Sequence, residues 1–452
     1  MSMGHPNRRR SALHLNTARR LCTLTLSICC GVASAQGLRL SQVLEVARGA
    51  DAQFAAARAA ADASREKRFQ AIAGLRPTVT MTHSTRFNRD GSTAYAGTQG
   101  YDGGSTALVL SQPLFRLANQ LTLEQAELQV RQGELQLALA EQDLLLRVAK
   151  AYFDVLQGQD ELTVARAQQD ALQQQLAQAR RTFEVGTVPI TDLNEAQSRH
   201  DIAVAQVITA GNELESRKRV LERSLGRRAP ALARLKDGLA VEVLGDSEVR
   251  ALVDGAALAA LPTQLGQTAV ALAELEIRKR DAGHTPTLDL VASLGVNRNI
   301  NYGVNGGTNT RQSAVGFEFT FPVYQGGAVN SRVREAQADR RRADEELLQA
   351  QRQALLDAQQ AQLGVESGAA LTRALQQAVA SSESLLRSVQ RGQQVGIRTR
   401  VDVLNAEQQL YVTRRDLAGA RYRTLVASLQ LKAAAGALST SDLLLLDALL
   451  TD

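Results

Sequence analysis

The feature that most constrains the fold is a phrase that the chain contains twice. "VGTVPITDLNEAQ" occupies residues 185–197, and "VGIRTRVDVLNAEQ" occupies residues 395–408. Three pairs of equivalent residues recur in order at separations of 209, 209 and 210 positions: Pro77 and Pro286, Pro113 and Pro322, Gly186 and Gly396. Two copies at so long a period predict a duplicated half-molecule, because solenoids repeat every 20–50 residues or so. We expect the first repeat over 36–245 and the second over 246–452.

Residues 1–35 have the order of a secretory signal peptide. Five arginines and no acid precede a short apolar run, and "ASA" ends at Ala35, where we expect cleavage. The run is shorter than the roughly 20 residues of a spanning helix, although a retained anchor is the alternative. No later apolar run reaches that length.

Removing this segment changes the charge and the cysteine content. The net charge of the whole chain is +6, and without the five arginines it is +1. The basic composition therefore gives no argument for nucleic acid as a partner. All three cysteines lie in the removed segment (Cys22, Cys29, Cys30), so the exported chain has no disulfide framework.

A long helix is predicted from Leu117 to Phe183, a stretch without proline. Its apolar residues follow two seven-residue registers, one through Leu121 and one through Leu123, which face nearly opposite directions at about 100° per residue. Such a helix needs a neighbour on each side, as in a barrel wall, and would be about 100 Å long. A helix buried in a bundle is the alternative. Its counterpart in the second repeat runs from about 328 to 389.

Strands with period-two alternation form two predicted hairpins, at about 75–116 and 285–325. The four runs are Arg76–Phe87, Ala107–Arg116, Thr285–Val296 and Gly316–Gln325, and polar Gly-rich loops are expected at 88–105 and 297–313. Runs of about 10–12 residues have the length of tilted membrane strands. Two soluble hairpins are the alternative, and the export signal with Phe317, Phe319 and Phe321 on one face favours lipid.

A chain with only four such strands requires other copies. In lipid the sheet must close, because an open edge leaves backbone groups unpaired. Two chains would give eight strands with a filled bore, and three would give twelve strands with an open lumen.

The duplication, the paired strands with proline at their ends and both Val-Gly phrases make the chain similar to the TolC family of outer-membrane channel proteins. The C-terminal "GALSTSDLLLLDALL" (436–450) is similar to this family too. The resemblance implies a mainly α fold with a transmembrane part: a homotrimer with a 12-strand β-barrel in the outer membrane, continuous with a long α-helical barrel that crosses the periplasm. A smaller mixed belt would use residues 227–247 and the tail after Gly436.

The same resemblance makes each repeated phrase a turn between antiparallel helices at the periplasmic tip. Gly186 and Gly396 are predicted to end one helix in the left-handed conformation. Thr191-Asp192 and Val401-Asp402 are predicted to begin the next, with aspartate capping free N–H groups. Together with Val185 and Val395, the two glycines would form the turns on which a periplasmic adaptor docks. The alternative is that these are only well-capped turns.

The resemblance also implies a gate at this tip. Asp402 would contribute to a ring of carboxylates that attracts cations, but Asn405 stands where the family has a second acid. Three carboxylates in place of six predict weaker cation binding. Arg398 matches a constricting arginine, with Asp192 and Thr191 in its partner segment. Gln393 replaces an expected tyrosine, so only one of two cross-hairpin links is predicted. A solvated turn arginine is the alternative for Arg398.

The sequence offers no enzyme chemistry. It has no Gly-rich phosphate-binding loop. The histidines after residue 35 lack metal-ligand spacing (His83, His200, His284). No cofactor, metal site or enzyme activity is therefore expected.

The leading hypothesis is a passive exit duct of a tripartite export system, for type I protein secretion, multidrug efflux or both. The expected partners are a periplasmic adaptor (membrane fusion) protein, an inner-membrane ABC or proton-driven transporter, and outer-membrane lipid. A non-conducting structural or adhesive coiled-coil protein of the envelope is the alternative. A periplasmic adaptor is a third class, although adaptors lack two β-hairpin insertions of this kind.

Overall fold

The computed structural model describes residues 37–91, 98–236, 245–301 and 308–451, so the expected signal peptide lies outside it. The helices in these ranges are α1 (Leu40–Ala50), α2 (Ala52–Ala73), α3 (Leu117–Glu184), α4 (Ile190–Leu225), α5 (Asp246–Ala259), α6 (Leu261–Asp281), α7 (Ala328–Gln394), α8 (Arg400–Ala434) and α9 (Thr440–Asp447). The strands are β1 (Thr78–Gly91), β2 (Thr98–Phe115), β3 (Thr287–Asn301) and β4 (Thr308–Thr320).

The four strands form one antiparallel sheet in the order β1-β2-β3-β4. Its central pair, β2 and β3, joins the two repeats, so each hairpin completes the other. The register places apolar residues side by side on one face, as in Leu108 opposite Leu294 and Leu290 opposite Phe317. This face is open, because Met81 is 69% and Phe317 72% exposed. The period-two prediction of one apolar and one polar face is confirmed.

The strands extend further than predicted into the expected loops, and β4 ends earlier than predicted at its other end. Most of the two segments predicted as polar loops, 88–105 and 297–313, is paired strand, and the remainders at 92–97 and 302–307 lie outside the described residues. Polar side chains pair across strands here, as in the Ser84 and Ser105 hydroxyls at 2.7 Å. Backbone ladders do not require apolar residues, so polarity alone was a poor signal for a loop. β4 ends before Pro322, which has no N–H for a ladder.

The long helices form the body of the protein below this sheet. α3 has 68 residues and α7 has 67, close to the predicted ranges. Near the sheet α3 packs on α2 and α6, as in the contact of Leu121 with Leu275. Further along it packs on α4 and α8, as in the cluster of Leu172, Ala203 and Leu404. The opposed apolar registers of α3 thus have neighbours from both repeats.

A close helix crossing occurs at equivalent positions of the two repeats. A Cβ added to Gly158 of α3 would lie 3.4 Å from the Cα of Leu214 in α4. A Cβ added to Gly368 of α7 would lie 3.5 Å from the Cα of Thr424 in α8. Both glycines and both partners are 210 positions apart, so the duplication includes the packing of each hairpin.

A belt surrounds the middle of α3. Its core contains Leu44 of α1, Leu144 and Tyr152 of α3, Leu232 and Leu450. Isolated bridges join Leu38 to Leu232 and Leu235 to Leu450, which brings the segment after α4 against the C-terminal tail. These are the two segments that the resemblance assigned to a belt. Residues 237–244 lie outside the described ranges.

One stretch, Ser247–His284, has the length and composition of a membrane-crossing helix, and 22% of its most apolar window is buried. The expectation that no such run exists is therefore corrected. The chain is extended at Ala260, with φ −57° and ψ 136°, and this divides the stretch into α5 and α6. The apolar face of α5 packs through Val249, Val253 and Ala256 against α7 and α8. We interpret both helices as part of the helical wall.

Candidate functional site

The repeated phrases form two helix–turn–helix connections with the same backbone. Gly186 and Gly396 have φ values of 75° and 78°, as predicted for left-handed glycines. The Gly186 N–H donates to the Phe183 carbonyl at 2.9 Å, and the Thr187 N–H donates to Thr182 at 3.0 Å. Equivalent bonds end α7, so both helices close with the same left-handed cap.

The starts of the following helices differ from the prediction. α4 begins at Ile190 and α8 at Arg400, so each aspartate stands at the third helical position. Thr399 is the capping residue of α8: its hydroxyl accepts from the Asp402 N–H at 3.2 Å, and Asp402 accepts from the Thr399 N–H at 2.9 Å. This reciprocal pair is a capping box.

The first repeat has no such box. Pro189 stands at the position of Thr399 and has no N–H to donate, so the Asp192 carboxylate has no equivalent backbone partner. Asp192 instead accepts a 3.4 Å bond from the adjacent Thr191 hydroxyl. The sequence assigned the same capping role to both aspartates, and the structure gives it only to Asp402.

The capping box has an electrostatic consequence. The Thr399 N–H, then the Thr399 hydroxyl and the nearby positive charge of Arg398, hold the pKa of Asp402 below its ordinary value. Each of these groups favours the charged carboxylate. Asp402 is therefore a stable negative charge at the turn.

The turns carry exposed apolar side chains at their ends. Val185, Val395 and Ile397 are 72%, 69% and 79% exposed. Such residues on both turns make the tip a small apolar surface that another protein can cover.

The predicted gate link is not formed within one chain. In the described part of the chain no hydrogen bond or ion pair joins Arg398 to Asp192 or Thr191. The aliphatic part of Arg398 instead lies against Gly392, where an added Cβ would be 2.7 Å from its Cγ. Gln393 is exposed and contributes its carbonyl to the turn, accepting from the Gly396 N–H at 3.1 Å.

Other residues than those predicted form hydrogen bonds between the two helical hairpins. Arg199 of α4 donates from Nη2 to Oδ1 of Asn405 in α8 at 3.0 Å, and Glu195 accepts from the same Nη2 at 2.8 Å. Arg400 of α8 donates to the Gln175 carbonyl of α3 at 3.2 Å. Asn405 was singled out only as a missing acid, and nothing in the sequence indicated Arg199.

Glu407 adds a partly buried contact to this region. Its carboxylate accepts from the Gln175 side chain at 2.5 Å, which joins α8 to α3 a second time. Burial raises the pKa of Glu407, against the opposing effect of the Gln175 and Gln390 amides. A cavity of about 400 Å³ lies beside it, between the two hairpins, with Arg199 and Tyr411 among its lining residues.

No cluster of three or more histidine, cysteine, aspartate or glutamate side chains with a metal-binding arrangement occurs among the described residues. The site is thus a set of helix turns, charges and cross-hairpin contacts.

Comparison with known proteins gives a consistent result. The sequence matches the family described as "Outer membrane efflux protein" over residues 43–227 and 264–437. It is 33% identical over 429 residues to outer membrane protein TolC of Escherichia coli K12, covering 91% of this chain and 85% of that protein. It is 32% identical over 444 residues to the proteases secretion protein PrtF of Dickeya chrysanthemi, covering 95% and 94%.

The fold has solved counterparts. The CmeC outer membrane channel of Campylobacter jejuni superposes with a TM-score of 0.74 at 13% identity, over 90% of this chain and 89% of that one. At that identity the likeness concerns the fold alone.

Proposed function

The chain belongs to the outer membrane efflux protein family, the family of TolC, and we propose that it acts as a homotrimer whose passage is gated at the repeated turns. It is an outer-membrane exit duct for secretion and efflux. The observation that carries this function is one chain with both an exposed apolar sheet face and a pair of helices about 100 Å long. The sheet matches lipid, and the helices extend far beyond it.

The edges of the sheet support the proposed trimer. β1 and β4 each pair on one side only within the chain. Three copies would close these edges into twelve strands and leave an open lumen, which an eight-strand closure would not. We also propose that the chain divides into two repeats, 36–245 and 246–452. The family match supports this division, because it covers two separate stretches.

The gate would use charge at the turns and links between hairpins. Three copies of Asp402 would form a ring that attracts cations. Arg398 and Asp192 make no ion pair with each other in the described chain, so their link would form between neighbouring copies. The contact between Arg199 and Asn405 would hold the two hairpins of one chain together. Opening would require this contact to break.

The partners would supply energy and contact the turns. The exposed Val185, Gly186, Val395 and Gly396 would receive a periplasmic adaptor protein, which would in turn contact an inner-membrane transporter. The family is one of transport proteins. The chain itself would catalyse no reaction, since its sequence has no phosphate-binding loop or nucleophile–base motif.

Membrane fractionation and solute flux test this function together. We expect the full chain in the outer-membrane fraction, and we expect the purified protein to release a small fluorescent solute from liposomes. The Arg199→Ala variant should release it faster. A folded trimer that enters the liposomes and releases nothing, with or without this substitution, would favour the non-conducting envelope protein.

A further inference from the structure

A short segment at the belt concentrates the positive charge of the chain. Residues 218–236 contain seven basic residues and one acid, Glu222, whereas residues 36–452 together have a net charge of only +1. We call the seven residues the basic collar: Lys218, Arg219, Arg223, Arg227, Arg228, Arg234 and Lys236. The rest of residues 36–452 therefore has a net negative charge, and the positive charge of the collar is a local feature.

The collar points away from the packed core. Arg219 and Arg223 lie two residues on either side of the buried Leu221, so they face about 200° away from it. The Arg219 side chain is 70% exposed, and the arginines after the helix end are exposed too.

Few acids neutralise the collar. Lys218 and Arg219 have ion pairs, with Glu215 and Glu222, on the same helix. Within the described ranges, no carboxylate lies within 4.0 Å of the guanidinium groups of Arg223, Arg227, Arg228 and Arg234. A basic residue in the last helical turn complements the helix dipole, which accounts for Arg223. It does not account for the residues beyond Gly226.

The backbone holds these charges in place. Leu38 donates to the Ala231 carbonyl at 2.8 Å, and Lys236 donates to Leu449 at 3.0 Å. The Thr451 N–H donates to the Arg234 carbonyl at 2.7 Å. These bonds fix the backbone of residues 231–236 on the belt, so binding to this part of the collar costs little ordering of the backbone.

The position of the collar excludes a lipid surface as its partner. α3 runs from the end of the sheet at Leu117 to Leu144 in the belt core, a distance of about 40 Å along the helix. Lipid headgroups extend only about 5–8 Å beyond the hydrocarbon, and charges are screened beyond about 8 Å at physiological salt. The collar lies well outside both ranges.

We propose that the basic collar binds peptidoglycan through the carboxylates of its stem peptides. This rests on the proposed function, because it requires the helical shaft to stand in the periplasm. Each exposed pair contributes little, but the four collar arginines without an ion pair in the described ranges meet a polymer with many carboxylates, so binding is multivalent. It falls with rising salt, as binding by exposed charges does.

Co-sedimentation of the purified full-length protein with isolated sacculi tests the proposal. The test variant is Arg223→Gln with Arg227→Gln and Arg228→Gln. The matched control removes three exposed arginines of α7 outside the collar: Arg332→Gln, Arg341→Gln and Arg373→Gln. We expect the collar variant to bind about tenfold more weakly and the control to bind as the parent. Sacculi with amidated stem carboxylates should behave like the collar variant.

Three outcomes overturn the proposal: equal binding by the parent and the collar variant, undiminished binding to amidated sacculi, or collar-dependent binding to phosphatidylglycerol vesicles without binding to sacculi. A collar variant that loses sacculus binding yet still conducts in bilayers separates this site from the duct. A parent that binds sacculi but forms no pore would keep the collar and reject the proposed function.

Discussion

Nη2 of Arg199 lies 3.0 Å from Oδ1 of Asn405, and this hydrogen bond connects α4 of the first hairpin to α8 of the second. The two residues are 206 positions apart and come from different repeats. A hydrogen bond to a charged group contributes about 1.5–3 kcal/mol at most and less when exposed. A contact of that size can hold a gate closed and still break when a partner docks.

Removing either side of this contact should open the gate. Arg199→Ala and Asn405→Ala are expected to raise single-channel conductance or open probability by similar amounts, and the double substitution should add little more. This non-additivity is the signature of a shared contact.

The matched control for this prediction is Arg180→Ala. Arg180 donates to Gln197 at 2.8 Å, a bond of the same kind that joins α3 to α4 within one hairpin. It should leave conductance unchanged. Fully additive effects of Arg199→Ala and Asn405→Ala, or an equal effect of Arg180→Ala, would contradict the assignment.

The two turns allow an exchange of caps. Thr399→Pro removes the N–H that Asp402 accepts from, and the backbone tolerates it because Pro189 occupies the equivalent position with similar angles, φ −71° against −84°. Pro189→Thr should give Asp192 a capping box, stabilising the start of α4 by about 0.5–2 kcal/mol. Hydrogen exchange of the amides in the first turn of α4 measures this.

The outcome expected is slower exchange at α4 in Pro189→Thr and faster exchange at α8 in Thr399→Pro. Unchanged exchange at both sites would mean that the caps do not control the turns.

The charge of Asp402 should persist in acid. Its pKa is lowered by the capping box, so the carboxylate stays ionised as the pH falls through its ordinary value of 3.8. Its capping contribution is present above the pKa of the unfolded chain and lost only as the pH falls through the lower folded value. Repulsion within a ring would act in the opposite direction.

Cation block recorded as a function of pH measures this charge. We expect cation block in the parent to persist to a lower pH than in Thr399→Pro. The substitution removes the Thr399 hydrogen bonds that lower the pKa of Asp402, so this pKa should rise. A common midpoint in the two proteins would contradict the role of the cap.

Replacing the glycine by alanine should have different effects on stability at the two equivalent helix crossings, Gly158 and Gly368. In Gly368→Ala the new Cβ lies 2.6 Å from Oγ1 of Thr424, a buried residue whose hydroxyl donates to Ala420 at 2.9 Å. We expect a loss of about 1–3 kcal/mol from overpacking. In Gly158→Ala the nearest atoms are side-chain carbons of Arg217 and Leu214 at 3.3 Å, a less severe approach than 2.6 Å, and alanine favours the helix.

Thermal resistance to proteolysis compares these two variants. Gly368→Ala should unfold at a lower temperature than the parent, and Gly158→Ala should remain close to it. The opposite order would show that the crossing in the second repeat is not the tighter one.

Much of this architecture could be predicted from the sequence. The duplication identifies equivalent elements about 210 residues apart, and local rules predict the elements themselves. The bounds of α3 and α7, the left-handed Gly186 and Gly396 and the apolar sheet face all follow from local rules. The strand ends did not, since the polar residues near Ser84 and Ser105 pair as well as apolar ones. The capping difference was visible in principle: Pro189 in place of Thr399 removes the donor that Asp402 uses.

Contacts between repeats were beyond sequence reasoning. Asn405 lies in the second repeated phrase, but Arg199 lies outside the first, and the two residues meet only because α3 brings the two hairpins together. The crossings at Gly158 and Gly368 lie within one repeat each and were also not predicted, because the role of each glycine depends on the helix that it crosses.

Single-channel recording of the purified protein in a planar bilayer tests the central claim most directly. The parent should form stable pores that multivalent cations block from the periplasmic side, and Asp402→Asn should relieve the block while the pore remains. Pores with equal block in both proteins would contradict the gate at the turns. A folded trimer that inserts into the bilayer without conducting would contradict the exit duct itself.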